Sequence, residues 1–331
     1  MAGPNSLDSV LWVHVHIPKT GGTSLDMFFR SLSKNTTLPG VRCCEAGPND
    51  NSTQQYKVAM TAAMSCDYMA AEWSYATVVS LGLVEPLSGA VASFLQPGTS
   101  RRVKLITMVR SPQQLLRSMI EHNIRHADRH PGMPANASEA ARQAWKNYYA
   151  FIRGAPQSGV RGYNLVNPQA ARLLPARGVG FAATDVEPFL RSTYAWVGVT
   201  DYMMLSMCAL QYLLFKEHTR VPDMYLLREK CSCAHNDLLV ASYNDQRATH
   251  DSGSSLGTQY TSEELRLFST LTHFDGLVFA HAVGRLMQTI GTIHQQYPEL
   301  GLSSCLRTAP RVLPTETDWR LKISEAASSH V

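Results

Sequence analysis

The chain has 331 residues, 44% of them hydrophobic and 17% charged, and a formal net charge of +4 at neutral pH. That composition describes a globular protein with a substantial core and excludes a disordered or low-complexity polymer. The charge is too mild to point to a nucleic acid, so none is expected as a partner, and no run of about 18 apolar residues offers a membrane span.

The first predicted strand is the apolar run from Leu11 to Ile17. The apolar stretch from Val10 to Ile17 is too short for a signal peptide, and His14 and His16 interrupt its apolar character. Pro18-Lys19-Thr20-Gly21-Gly22-Thr23-Ser24 follows as a turn, after which Leu25, Phe28, Phe29 and Leu32 share one helical face. A strand, a glycine turn and a helix in this order make a phosphate cradle. The glycines admit a phosphate close to the backbone, the helix start and its dipole favour an anion, and Lys19 adds a point charge. A Walker loop is excluded, because its lysine follows the last glycine whereas Lys19 precedes both.

Residues 33–55, rich in Asn, Thr, Gly and Pro, read as a long loop, and residues 56–70 as a helix with Val58, Ala62, Ala63 and Met69 on a small-residue face. Arg101, Arg102 and Lys104 form a basic cluster, either a solvated face or a substrate patch. Residues 103–109 predict a second buried strand that delivers Arg110 to the same sheet edge as Lys19. Ser111 and Pro112 then read as the N-cap and first residue of a helix carrying Ser118 and, one turn on, His122. After a break at 127–137, Ser138 caps a helix whose apolar side holds Ala141, Trp145, Tyr148, Tyr149 and Ile152.

A short strand at 196–199 leads into an apolar helix over 203–215, and residues 225–257 read as a polar loop. Thr261-Ser262-Glu263-Glu264 is a capping box opening a helix through Leu265, Phe268 and Leu271, and a last helix covers 277–290. Strand–helix units at 11–32, 103–122 and 196–215 predict an α/β, three-layer fold: a central parallel sheet flanked by helices. Both phosphate motifs then lie at C-terminal strand ends, where open α/β sheets bind ligands. The expected organisation is one domain over 1–302 and a polar tail over 303–331.

Lys19 ahead of Gly21 and Gly22, with Arg110 and Ser118 spaced as a second motif, resembles the sulfotransferases that use 3′-phosphoadenosine-5′-phosphosulfate (PAPS). The likeness is greatest to the Golgi carbohydrate branch that includes the heparan sulfate 2-O- and 6-O-sulfotransferases. Asn164-Leu-Val-Asn167-Pro-Gln169-Ala-Ala-Arg172-Leu173-Leu174 and Trp196-Val-Gly-Val-Thr200-Asp201 are similar to later segments of that branch, in the same order. The resemblance implies a P-loop-like fold and PAPS as co-substrate, with no metal. Lys19, Thr20, Gly21, Gly22, Thr23 and Ser24 would hold the 5′-phosphosulfate, and Arg110 and Ser118 the 3′-phosphate. The family often has a further Arg inside the second motif, where this chain has Leu115 with Arg117 nearby.

Lys19 would also neutralise the leaving phosphate, a catalytic role. The base is less plainly marked, since Ala70 stands where the resembled branch has a His. Glu72 is the first choice, beside Trp73, which either stacks on a sugar or anchors the loop; His122 is second and His16 third. The implied reaction is sulfuryl transfer to a hydroxyl of a carbohydrate, glycan or glycolipid, the alternative being a weakly active or inactive PAPS- or glycan-binding relative.

The branch implies a Golgi-lumenal location with an N-terminal membrane anchor not visible in this sequence, the cytoplasm being the alternative. Sequons at Asn35, Asn51 and Asn136 and seven cysteines, Cys43, Cys44, Cys66, Cys208, Cys231, Cys233 and Cys305, lean toward an oxidising, glycosylating compartment. Their spacing lacks the paired motifs of a zinc site.

Overall fold

The computed structural model describes residues 10–34, 43–46, 57, 61, 65–84, 102–112, 114, 115, 118, 119, 167–175, 182–217, 227, 228, 231 and 272–302. Five strands, β1 (Val10–Val15), β2 (Cys43–Ala46), β3 (Tyr68–Ala71), β4 (Arg102–Val109) and β5 (Tyr194–Val199), form one sheet in the order β2-β3-β1-β4-β5. Every pairing is parallel. Strand β1 occupies the centre, and all six of its residues are buried. A parallel strand covered on both faces takes a near-continuous apolar sequence, broken here by His14, and each large apolar side chain so buried contributes about 1.5–3 kcal/mol.

The period-2 alternation of strand side chains sorts the core into two layers. On one face, Val10, Trp12, Ile106, Met108 and Trp196 pack against Leu25, Phe28 and Phe29 of helix α1 (Gly22–Lys34). On the other, Leu11, Val13, Val15, Leu105, Val109 and Val197 meet helices α2 (Tyr75–Ser80), α3 (Pro168–Leu173) and α4 (Val186–Thr193). Helix α5 (Met203–Glu217) contributes to both clusters, and α6 (His273–Gln296) closes the second layer. The three-layer α/β arrangement expected from the strand–helix units is the one the chain forms.

Three sequence expectations are corrected. The loop read over 33–55 contains the edge strand β2, and the helix read over 56–70 does not reach 70. Residues 57, 61 and 65 are helical, but Tyr68–Ala71 is β3, in register with β1 through Trp12–Tyr68 and His14–Ala70. The alanines there favour a helix locally, yet strand pairing and the burial of Tyr68 and Met69 prevail. Within the polar stretch 225–257, Leu227, Arg228 and Cys231 are helical, and Leu227 and Cys231 are buried. The helices read over 138–152 and 261–271, and the tail from 303, lie outside the described residues.

Two long-range connections fix the second layer. The Asn167 side chain accepts from the N–H groups of Phe274 (2.8 Å) and Asp275 (3.3 Å), capping α6, while the Asp275 carboxylate accepts from Gln169 (3.1 Å) and Ala170 (2.8 Å), capping α3. Each helix thus supplies the acceptor that the other's orphan N–H groups need. Burial pushes Asp275 up to about 7 against the pull of those N–H bonds. Farther along α6, Arg285 donates to the carbonyls of Leu190, Tyr194 and Ala195, tying the helix to the end of α4 and the start of β5.

Cys208 on α5 and Cys231 form a disulfide across 23 residues of sequence, and Cys66 is also disulfide-bonded. Both sulfurs of the first bond are in the core. Removing the cross-link frees the intervening chain in the unfolded state, so C208A/C231A is expected to lose about 2–4 kcal/mol of stability. Urea unfolding of the oxidised protein measures this, and an unchanged midpoint would show that the bond constrains nothing.

Candidate functional site

Because all five strands run the same way, their C-terminal ends share one edge. The residues following β1, β3, β4 and β5 are His16 to Lys19, Glu72, Arg110 and Thr200 to Asp201. The sequence-predicted Lys19, Glu72 and Arg110 therefore come to one edge, on adjacent strands.

The turn after β1 is held by its carbonyls. Ile17 accepts from both the N–H (3.3 Å) and the hydroxyl (2.8 Å) of Thr20, and the Gly21 carbonyl accepts from Ser24 and Leu25. Lys19 O accepts from Arg110 Nη1 at 3.3 Å, and the Thr200 hydroxyl donates to Thr20 O. With its acceptors drawn toward β4, β5 and α1, the turn takes the form an anion cradle requires. The N–H groups of Gly22 and Thr23, first in α1, have no preceding helical turn to bind. Thr23 is exposed and Ser24 half-buried, whereas Thr20 is fully buried, so its hydroxyl serves the turn and not a ligand.

Two residues of the turn have left-handed backbones, Lys19 at φ 68° and Gly21 at φ 82°. Glycine takes that conformation freely, but for Lys19 it costs on the order of 1 kcal/mol, offset by the bond from Arg110. At Gly22 the constraint is contact. A Cβ there would lie 2.1 Å from Cδ2 and Nε2 of His16, so the imidazole edge abuts the start of α1.

Arg110 is itself positioned through its backbone. Its N–H donates to Gln169 Oε1 (2.8 Å), and its carbonyl accepts from Gln169 Nε2 (2.9 Å). The Thr200 hydroxyl also lies 3.0 Å from Val109 O, so its single proton is shared between the end of β4 and the turn after β1. Asp201 Oδ2 accepts from the Ser111 N–H (2.9 Å), and Ser111 O accepts from Leu115 N–H (2.9 Å), the bond pattern of an N-cap. The expected helix start at Ser111 and Pro112 is thus observed, with an acid from the neighbouring strand end completing it. Ser118 is helical and half-buried. His122 lies outside the described residues.

Beneath the cradle sits a polar cluster. His14 Nδ1 is 3.0 Å from the Tyr68 hydroxyl and 3.3 Å from Asp26 Oδ1, Tyr68 donates to Asp26, and the His14 and His16 rings stack with centroids 5.1 Å apart. Burial acts to raise the Asp26 pKa, but His14 and the Tyr68 hydroxyl outweigh it and hold the group below the usual carboxylate range. Burial first, then the charges of His14 and Arg172, lower His16 to about 4 against the opposing pull of Asp26. His16 is therefore neutral at physiological pH and a weaker base than a group tuned near 7.

Glu72 follows β3 directly and is half-buried; its carbonyl accepts from Arg172 Nη1 of α3 at 2.6 Å. Trp73 is 2% exposed within the main core, which resolves its two sequence readings in favour of an anchor. Ala70, at the position where a His was expected, is a buried residue of β3 in register with His14. Sequence reasoning missed Gln169, Thr200 and Asp201 as site-building residues. Thr200 and Asp201 stand directly after the apolar run at 196–199, whereas Gln169 stands out only within the segment that resembles the family. Among the described residues, no group of three or more His, Cys, Asp or Glu side chains is placed to hold a metal ion. No protein-family model matches the chain, and no curated protein matches it.

Two outcomes are expected. G22A forces His16 aside and costs about 1–3 kcal/mol, and H16A in the same chain restores part of the loss. A double-mutant cycle of unfolding free energies reads this, and strict additivity would separate the two residues. The lowered His16 pKa also makes its contribution to stability complete above about pH 6.5 and lost as pH falls toward 4. Between about pH 7 and about pH 4.5 the wild type should accordingly lose more stability than H16N. Equal losses would show that another group titrates.

Proposed function

We propose that the chain is a PAPS-dependent O-sulfotransferase acting on a carbohydrate hydroxyl. The observation that carries this reading is the meeting of two anion-binding motifs, with Arg110 of one donating to the Lys19 carbonyl of the other at 3.3 Å. A ligand with a single phosphate cluster has no use for both, whereas a nucleotide phosphorylated at 5′ and 3′ does. The Lys-before-Gly order, the Arg110–Ser118 spacing and the resemblance of later segments to Golgi carbohydrate sulfotransferases support the same ligand.

In the reaction so assigned, the acceptor hydroxyl oxygen attacks sulfur, its new S–O bond forms as the S–O bond to the 5′-phosphate breaks, and adenosine 3′,5′-bisphosphate leaves. Lys19 neutralises charge on the departing phosphate oxygen, and the N–H groups of Gly22 and Thr23 hold that phosphate. The proton passes to Glu72, the acidic group directly beyond β3, since His16 is too weak a base and Ala70 has no proton acceptor. The buried Cys208–Cys231 bond supports an oxidising compartment such as the Golgi lumen. The alternative, a relative that binds the nucleotide without turnover, is favoured by one observation, the Ala at position 70.

Adenosine 3′,5′-bisphosphate is expected to raise the melting temperature more than ATP does, and K19A to abolish sulfate transfer from labelled PAPS to a panel of glycans. Better protection by ATP would overturn the nucleotide assignment. Protection by the bisphosphate with no turnover on any glycan would leave the binding relative, and E72Q with full activity would remove Glu72 as the base.

A further inference from the structure

Strand pairing between β4 and β5 ends at Val109 and Val199, so the main chain of Arg110 leaves the sheet with its peptide groups in need of partners. Gln169, 59 residues away in sequence, meets both needs: Oε1 takes the Arg110 N–H at 2.8 Å, and Nε2 gives to the Arg110 carbonyl at 2.9 Å. A primary amide is the side chain that presents donor and acceptor side by side as a peptide does, and Gln169 works as one further rung of the ladder. It is fully buried, and its own N–H is fixed by the Asp275 carboxylate of α6. From Arg110 the chain of contacts continues through Nη1 to the carbonyl of Lys19, whose left-handed backbone it helps to hold.

We propose that Gln169 is a positioning residue for nucleotide binding, acting through the Arg110 main chain to aim the guanidinium at the 3′-phosphate. The inference rests on the nucleotide reading above. An arginine side chain gives up rotamer freedom when it binds, so a swinging Cα would add to what binding must order. Two bonds to the main chain on either side of that Cα remove the swing before the ligand arrives. Their loss falls first on the phosphate that Arg110 contacts; the 5′ cradle loses at most the one bond from Arg110 to Lys19 and keeps those made by Thr20, Ser24 and Thr200.

The test is calorimetric titration of the full chain with adenosine 3′,5′-bisphosphate and with adenosine 5′-monophosphate, in wild type and Q169M. Methionine fills the space and makes neither bond. Q169M should weaken the bisphosphate about 10-fold and the monophosphate less than about 2-fold. A role in folding alone would weaken both alike. Should Q169M fail to fold, Q169N, which keeps the amide one methylene short of Arg110, gives the same reading. In an R110M background Q169M should change neither affinity further. A wild type that prefers the bisphosphate, together with a folded Gln169 variant that keeps that preference, overturns this inference alone. A wild type with no such preference overturns the nucleotide reading and this inference with it.

Discussion

A parallel sheet leaves its strand ends unfinished, and the rest of this molecule is organised around finishing them. Where β1, β4 and β5 stop, peptide groups remain that water or a neighbour must satisfy. Here the neighbours are side chains from far along the sequence: Thr200 bridges the ends of β1 and β4, Gln169 extends β4, and Asp201 closes the helix that follows Arg110. The same bonds that complete the sheet also set the cradle and the second cationic residue relative to each other. Support and site are one network.

What the sequence made legible follows from how locally each feature is determined. The three strand–helix units read from apolar runs became β1, β4 and β5 with α1, the helix after Arg110, and α5, since each run is long enough for its period to speak. Strands β2 and β3 were hidden because they have four residues each, Cys-Cys-Glu-Ala and Tyr-Met-Ala-Ala, with no β-branched member. The identity of β3 comes from pairing with β1 and that of β2 from pairing with β3, contacts that no local window contains. Lys19, Gly21, Gly22 and Arg110 could be singled out because their chemistry is unusual at a strand end. Gln169 and Asp275 could not, because a glutamine at a helix start and an aspartate near another have many ordinary uses. Only the fold brings Gln169 to Arg110 and Asp275 to Gln169.

The cluster under the cradle shows a different economy. His14, Asp26 and Tyr68 share hydrogen bonds on one sheet face, and Phe29 stacks on Tyr68 with centroids 3.9 Å apart. Asp26, in the second turn of α1, accepts from the Tyr68 hydroxyl and lies 3.3 Å from His14 Nδ1. The buried His14 thus has a polar neighbour on that side, while its Nε2 has no hydrogen-bond partner among the described residues. His16, stacked on this group and pressed against Gly22, relays its position to the helix start. The glycine is required there by a neighbour's volume and at Gly21 by backbone angle, two separate reasons for two adjacent residues.

The reciprocal caps of Asn167 and Asp275 have a consequence for how the molecule comes into being. The cradle at residues 17–24 leaves the ribosome ahead of the carboxylate that fixes Gln169, which follows about 250 residues later, some tens of seconds at roughly 5–20 residues per second. Until then the nascent chain holds the glycine turn and Arg110 without the connection that aims them. A partly synthesised or C-terminally clipped chain would carry both cationic residues without the contact that aims Arg110, so α6 sets the moment at which the end of β4 acquires its final form.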